Sequence, residues 1–359
     1  MYMKDTNSKK NRQSGIELLR IVALLLVIVI HYSQVLVPAF KVIGGFDYHI
    51  SLWIRSIAAC AVDIFLVISG YFMCTSNVRV WGKPLTLILQ VCVYNELMYL
   101  AEVICGIYPL SIRHIVSSFI PDSYYSTLFV VLYLISPYIN RTISNFTQRE
   151  WRVLMTLVIV IFSFLSSVST IFSEFTGNTW MGINTIGAWG SQQGFNIVNF
   201  SLLYIIGAYI RLSGIPVSLS TKAKQVVVII ICITVTYLFA EFEEYLSITS
   251  MRFAWVYDNP LIILTAVCLF LLFKNFDFRN SFVNYLATFV YPVFLIHCAV
   301  VKYTGLENLI SKPYLIPVHF IIFCFIMFAC SIVIYTLYGF CTKKLIERAN
   351  QKAIYYFED

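Results

Sequence analysis

The sequence predicts an all-α, polytopic membrane protein, a bundle of about ten transmembrane helices. Apolar residues make up 59% of the chain and charged residues 12%, whereas soluble domains average roughly 45–50% and about 25%. The apolar residues fall in long runs, and Lys and Arg concentrate in every second connection between the runs. These three observations exclude an ordinary water-soluble domain.

The apolar runs define the predicted spans. About 20 apolar residues cross the roughly 30 Å hydrocarbon core of a bilayer, so a run of 18 or more with few charges is a candidate span. The runs lie at 16–39, 57–74, 85–105, 124–140, 153–173, 195–211, 225–241, 260–273, 283–302 and 314–341. The fourth, sixth and eighth runs are short or interrupted by polar residues, so they are the weakest candidates for spans.

The distribution of Lys and Arg predicts the orientation, because these residues concentrate in short cytoplasmic loops. With the N-terminus inside, the inner segments hold 18 of them and the outer loops hold six, with Arg55 in an outer loop. We therefore expect one transmembrane domain over 1–359, with both termini in the cytoplasm and tails at 1–13 and 342–359.

The same topology explains the net charge of +7, because the basic residues are scattered over several short loops. We expect membrane lipid as a partner and no nucleic acid. The ten cysteines fall mostly inside apolar spans. They form no C-x-x-C pair, so no metal site is expected.

Three ionisable residues lie inside the first span, and charges there are costly and mark functional sites by default. On a helix, Arg20 and His31 lie on one face about 16 Å apart along the axis. Glu17 is close enough to Arg20 to pair with it. Alone, Arg20 could extend to the inner interface and His31 could be a hydrogen-bonded core residue, but their alignment favours a function.

The chemistry that suits this helix face is transfer of a group from a phosphate-bearing donor. Guanidinium groups hold phosphate through charge-assisted hydrogen bonds, so the donor would bind at Arg20. A neutral imidazole at His31 could act as general base on a hydroxyl group. Coenzyme A has about the length needed to reach from one residue to the other.

Other candidates lie in the second span and at the outer ends of the helices. Asp63 could orient His31, as a carboxylate does in a catalytic triad, or cap its helix near the interface. Ser69 precedes Gly70, and such a pair more often permits close helix packing than catalysis. Tyr124 and Trp189 could stack on a sugar ring or belong to an aromatic belt at the interface.

The chain resembles the acyltransferase-3 family of membrane acyltransferases, whose members O-acetylate surface polysaccharides and related envelope glycans. The resemblance covers most of the chain in five segments, GIELLRIVALLLVIVIH with its Arg-x10-His spacing, VDIFLVISGYF, YLISPYIN, YIIGAYIR and YPVFLIH. It implies that Arg20 serves the acyl-CoA donor and that His31 is essential to transfer as the base. Asp63 and Ser69 match positions that shape the site.

The resemblance also suggests where the nucleotide end of the donor lies. The family usually carries a cluster of arginines after the second helix, where this chain has SNVRVWGKP. We therefore expect Glu17, Arg20, Arg79 and Lys83 at the donor end. The expected substrate-binding residues are Ser69, Tyr71, Tyr124 and Trp189.

The predicted function is transfer of an acyl group, most simply acetyl from acetyl-CoA, to a hydroxyl of a cell-surface polysaccharide or its lipid-linked precursor. The expected location is the bacterial plasma membrane, where polysaccharide-assembly machinery is a possible partner. One alternative is a transporter or flippase without chemistry, but the matched broken helices of transporters are not evident. A polysaccharide polymerase is the other alternative, and the short outer loops disfavour it.

Overall fold

A computed structural model describes residues 12–178, 194–214, 219–246 and 253–356 of the chain. These residues are almost entirely helical. The α-helices, numbered α1 to α14 in chain order, are Ser14–Ile43, Phe46–Ala58, Ala61–Met73, Gly82–Ile104, Ile112–Ser118, Tyr124–Ile143, Gln148–Ile159, Ser166–Thr176, Ile197–Leu212, Lys222–Tyr245, Pro260–Lys274, Ser281–Leu286, Val290–Val301 and Ile316–Asn350. Two short strands, β1 and β2, are Arg79–Val80 and Ala353–Ile354.

The helices confirm the predicted fold class. Each of the ten predicted runs coincides with helix. Among the described residues, eight helical segments are long and apolar enough to cross a membrane. The two remaining runs correspond to α6 and α9, the fourth and sixth, which were predicted to be weak. Of these, α9 is an apolar helix of 16 residues.

Contacts between distant segments agree with the predicted alternation of sides. At the inner end, which is the end predicted to face the cytoplasm, β1 pairs with β2 in an antiparallel arrangement, and the Asn280 N–H donates to Ser14 Oγ at 2.9 Å. At the outer end, Lys41 Nζ lies 2.7 Å from Glu244 Oε1. Every one of these contacts joins segments that were predicted to lie on the same side of the membrane.

The second span differs from its prediction. Helix α2 begins at Phe46, eleven residues before the predicted start, and two residues, Ala59 and Cys60, separate it from α3. The early part was missed because Asp47 and His49 dilute its apolar character. Arg55 therefore lies within a helix and not in an outer loop, which corrects its predicted position.

Helices α3 and α9 pack with their backbones very close together. A Cβ atom at Gly70 would collide with the backbone of Tyr204, and one at Gly207 would collide with the backbone of Val67 and Tyr71. Small residues permit such an approach between membrane helices. Gly70 of the Ser-Gly pair therefore acts in packing, as the sequence indicated.

The fifth span is interrupted at its middle. Six residues, Val160–Leu165, form a π-helix between α7 and α8. From this segment and the next turn, Ser163 Oγ donates to the backbone oxygen of Asp258 at 2.7 Å and Ser166 Oγ donates to Asp258 Oδ2 at 2.6 Å. The π-helix thus anchors the start of α11, close to the candidate site.

Candidate active site

Two cavities follow α1 through the bundle. The inner cavity, with a volume of about 220 Å³, is lined by Arg20, and the outer cavity, with a volume of about 320 Å³, is lined by His31. Val62 and Phe294 line both cavities and therefore lie between them. Arg20 and His31 thus each line one of two neighbouring cavities that have Val62 and Phe294 as a common wall.

At the inner end, Arg20 is held by a carboxylate on its own helix. Arg20 Nη1 lies 3.2 Å from Glu17 Oε2, as the spacing of three residues predicts. The Glu17 side chain is 9% exposed and that of Arg20 is 36% exposed. Glu17 thus positions the guanidinium, whose outer part stays accessible to a ligand.

At the outer end, His31 is oriented by its own helix. Its Nδ1 lies 3.0 Å from Gln34 Oε1. Because an amide oxygen can only accept, Nδ1 carries the hydrogen and Nε2 keeps its lone pair. Cys298 Sγ lies 3.6 Å from the same Nδ1. The free Nε2 is the atom that can take a proton from a hydroxyl group.

A second histidine packs against the first. The rings of His297 and His31 lie edge to face with 4.8 Å between their centroids. His297 Nδ1 donates to the backbone oxygen of Phe294 at 2.7 Å, and its Nε2 has no hydrogen-bond partner among the described residues. His297 therefore contacts both His31, through its ring, and Phe294, through its hydrogen bond.

Asp63 does not contact His31 as predicted. Its side chain is completely buried, and neither carboxylate oxygen has a hydrogen-bond partner among the described residues. The preceding residue, Val62, lines both cavities, and one residue further along a helix points about 100° away. The hydrogen-bond partner of His31 is Gln34, so Gln34 and not Asp63 orients His31.

Arg79 is buried and hydrogen-bonded within the protein, which argues against its predicted role in donor binding. It is 3% exposed. Each of its three nitrogens donates, and the acceptors are Ser136 Oγ and the backbone oxygens of Met73, Ser76, Val78 and Tyr133. These bonds close the turn after α3 and leave the guanidinium no room for a phosphate.

Lys83, the other cation predicted after the second span, is available to a ligand. It is exposed, and its Nζ lies 5.6 Å from the centre of the Tyr133 ring. The ammonium also interacts electrostatically with Arg20. Of the two cations predicted after the second span, Lys83 is thus the one that is exposed.

The four predicted substrate-binding residues do not lie in one site. Ser69 lines the inner cavity and donates to the backbone oxygen of Phe65 at 2.7 Å, while Tyr124 lines the outer cavity. Tyr71 lines neither, because its hydroxyl accepts from Arg211 Nη1 at 3.1 Å near the inner end. Trp189 lies outside the described residues.

Arg55 is a candidate that sequence reasoning missed. Its Nη1 is buried without a hydrogen-bond partner among the described residues, and its guanidinium lies 5.3 Å from the centre of the Trp255 ring. It interacts electrostatically with His31, Tyr257 and Tyr124. The sequence did contain an indication of this role, because placing an arginine so close to an apolar run costs free energy.

The fold and these cavities define a class of protein: a polytopic membrane protein with a basic group in one of two neighbouring internal cavities and an available imidazole in the other. The family model described as an acyltransferase domain, of the acyltransferase-3 type, matches residues 13–336, and the chain belongs to that family. It is thus a membrane acyltransferase. Comparisons with curated proteins and with solved structures gave no match.

Proposed function

We propose that the chain transfers an acyl group, most simply acetyl, from cytoplasmic acyl-CoA to a hydroxyl of a cell-surface polysaccharide or its lipid-linked precursor. The observation that supports this proposal is the pair of cavities joined at Val62 and Phe294, with Arg20 at one end and His31 at the other. A long donor with an anionic head and an acyl thioester at its tail matches both ends of that path.

Donor binding begins at the inner end. Arg20 and Lys83 hold the diphosphate of CoA by charge-assisted hydrogen bonds, and Glu17 keeps the guanidinium in place. The pantetheine arm then extends through the inner cavity past Ser69 toward Phe294. Rotation of the Phe294 ring opens the way for the thioester to the outer cavity.

The chemical step takes place at His31. Nε2 takes the proton from the acceptor hydroxyl as its oxygen attacks the thioester carbonyl carbon. The tetrahedral intermediate collapses with cleavage of the carbon–sulfur bond, and the departing CoA sulfur takes the proton from His31. The ester remains on the glycan, and His31 returns to its neutral form.

The acceptor approaches from the outer cavity, whose lining includes Asp122, Ser123 and Tyr124. Hydroxyl and carboxylate groups can hydrogen-bond to sugar hydroxyls, and the Tyr124 ring can stack on a sugar face. In this proposal the protein works in the bacterial plasma membrane beside the machinery that assembles the polysaccharide.

Oriented membrane vesicles test the proposal. Inside-out and right-side-out vesicles carrying the protein are given acetyl-CoA labelled in the acetyl group, and label in extracted glycan is counted. We expect labelled glycan from inside-out vesicles alone, and none from vesicles lacking the protein. Free labelled acetate inside the vesicles without labelled glycan would instead support a transporter.

A further inference from the structure

A third cavity lies at the inner end of the bundle, apart from the path between Arg20 and His31. It has a volume of about 610 Å³ and lies between the start of α1 and the segment that follows α11. Its lining includes Arg12, Lys274, Phe276, Asp277, Phe278 and Arg279. We refer to it as the basic cavity.

The charges of the basic cavity do not balance. Three cations and one carboxylate line it, and neither Lys274 nor Arg279 forms an ion pair with another described residue. Lys274 Nζ lies 5.2 Å from the centre of the Tyr71 ring. Arg12 Nε lies 3.9 Å from Glu17, the carboxylate that also holds Arg20. The cavity therefore carries excess positive charge that an anionic ligand would neutralise.

The walls of the basic cavity are fixed by close contacts. Gly15 packs so tightly that a Cβ atom there would collide with the backbone oxygens of Phe273 and Phe276. Ser14 Oγ accepts from the Asn280 N–H at 2.9 Å and lies 3.0 Å from Asn284 Oδ1. The segment after α11 is thus held against the helix that carries Arg20.

We propose that the basic cavity binds the adenosine 3′-phosphate end of the acyl-CoA donor. Arg279 and Lys274 would contact the 3′-phosphate through charge-assisted hydrogen bonds, and the ring of Phe278 offers a face on which an adenine base stacks. This inference rests on the proposed function. It gives the 3′-phosphate its own cations, separate from Arg20 and Lys83 at the diphosphate, while Arg79 is engaged within the protein.

Continuity along α1 supports the assignment. Arg20 lies six residues beyond Ser14, about 9 Å along the helix axis. The Arg12, Glu17 and Arg20 side chains form a continuous series of ion pairs between the basic cavity and the inner cavity. A single donor molecule can therefore place its nucleotide in one and its pantetheine arm in the other.

The test compares CoA with dephospho-CoA, which lacks the 3′-phosphate, in binding to the full chain purified in detergent. We expect the wild-type protein to bind CoA at least about tenfold more tightly, the scale of one hydrogen bond to a charged group. The preference should vanish in Arg279→Ala or Lys274→Ala and return in part in Arg279→Lys. Lys344→Ala, which removes an exposed cation from α14, should keep it.

The outcomes separate this inference from the proposed function. Equal binding of CoA and dephospho-CoA by the wild type, together with acyl transfer, would overturn the basic cavity as the nucleotide site and leave the proposed function standing. A preference that survives in both alanine variants would overturn it as well. Failure of the wild type to bind CoA and to transfer label would overturn both.

Discussion

At the scale of single residues, Gln34 decides which nitrogen of His31 can act. Its amide oxygen lies 3.0 Å from His31 Nδ1, and a hydrogen there leaves Nε2 free to accept a proton. The sequence indicated that His31 needs an orienting partner and suggested Asp63. The partner, Gln34, lies three residues further along the same helix. A single uncharged polar residue within an apolar run did not stand out in the sequence as a functional residue.

Replacing Gln34 by Leu is expected to lower the rate constant of transfer by roughly five- to tenfold, the value of one hydrogen bond, with little change in the KM for acyl-CoA. The reason is that the imidazole would then populate both tautomers and more orientations. Steady-state transfer assays check this, and Gln34→Glu, which keeps an acceptor, should recover most of the rate. A change in KM alone would contradict the orienting role.

Arg55 has no carboxylate partner among the residues described, and its Nη1 atom is buried although the residue as a whole is half-buried. Burial of an uncompensated charge destabilises a protein, and apolar replacements of buried ions are often neutral or stabilising. We therefore expect Arg55→Met to keep or raise the unfolding temperature while transfer falls by at least about tenfold. Thermal unfolding in detergent and the transfer assay measure the two effects, and a lower unfolding temperature with full activity would contradict a role at the site.

At the scale of helices, the contact between α3 and α9 holds the wall on which Val62 and Ser69 lie. The contact is close because Gly70 and Gly207 leave room for the opposing backbone. Hydropathy predicted that both helices exist. It could not predict how near they come, since the distance depends on which faces meet.

Substitution of Gly207 by Ala is expected to destabilise the protein by about 1–3 kcal/mol, because the added methyl group overlaps backbone atoms of α3 that cannot move aside. Gly339→Ala is the matched control, since a Cβ there meets no atom within 4 Å. Thermal unfolding of both variants in detergent gives the comparison. Equal unfolding temperatures for the two would contradict the packing that we describe.

At the scale of the whole molecule, the apolar runs predicted where the main helices lie along the chain, and charge predicted the alternation of sides. Its failures have a common cause. The relation of Asp63 to His31 depends on the rotation of one helix against another, and the engagement of Arg79 depends on a turn whose carbonyl oxygens surround it. Neither relation is encoded in spacing along the chain.

The path through the bundle is closed at Phe294, whose ring also lies 5.3 Å from that of Tyr125. In Phe294→Ala the inner and outer cavities should merge, and the ratio of hexanoyl to acetyl transfer is expected to rise about tenfold. Assays with both donors measure the ratio. Phe320→Ala, in a different apolar groove, should leave it unchanged, and an unchanged ratio in Phe294→Ala would show that this ring does not limit the path.

The most direct test of the central claim is acetyl transfer from labelled acetyl-CoA to envelope glycan, in membranes that carry the wild-type protein or His31→Ala at matched expression. His114→Ala, which alters a ring stacked on Tyr99 away from both cavities, serves as control. We predict labelled glycan with the wild type and His114→Ala, and loss of the label with His31→Ala. Equal labelling in all three would contradict His31 as the base of the acyl transfer.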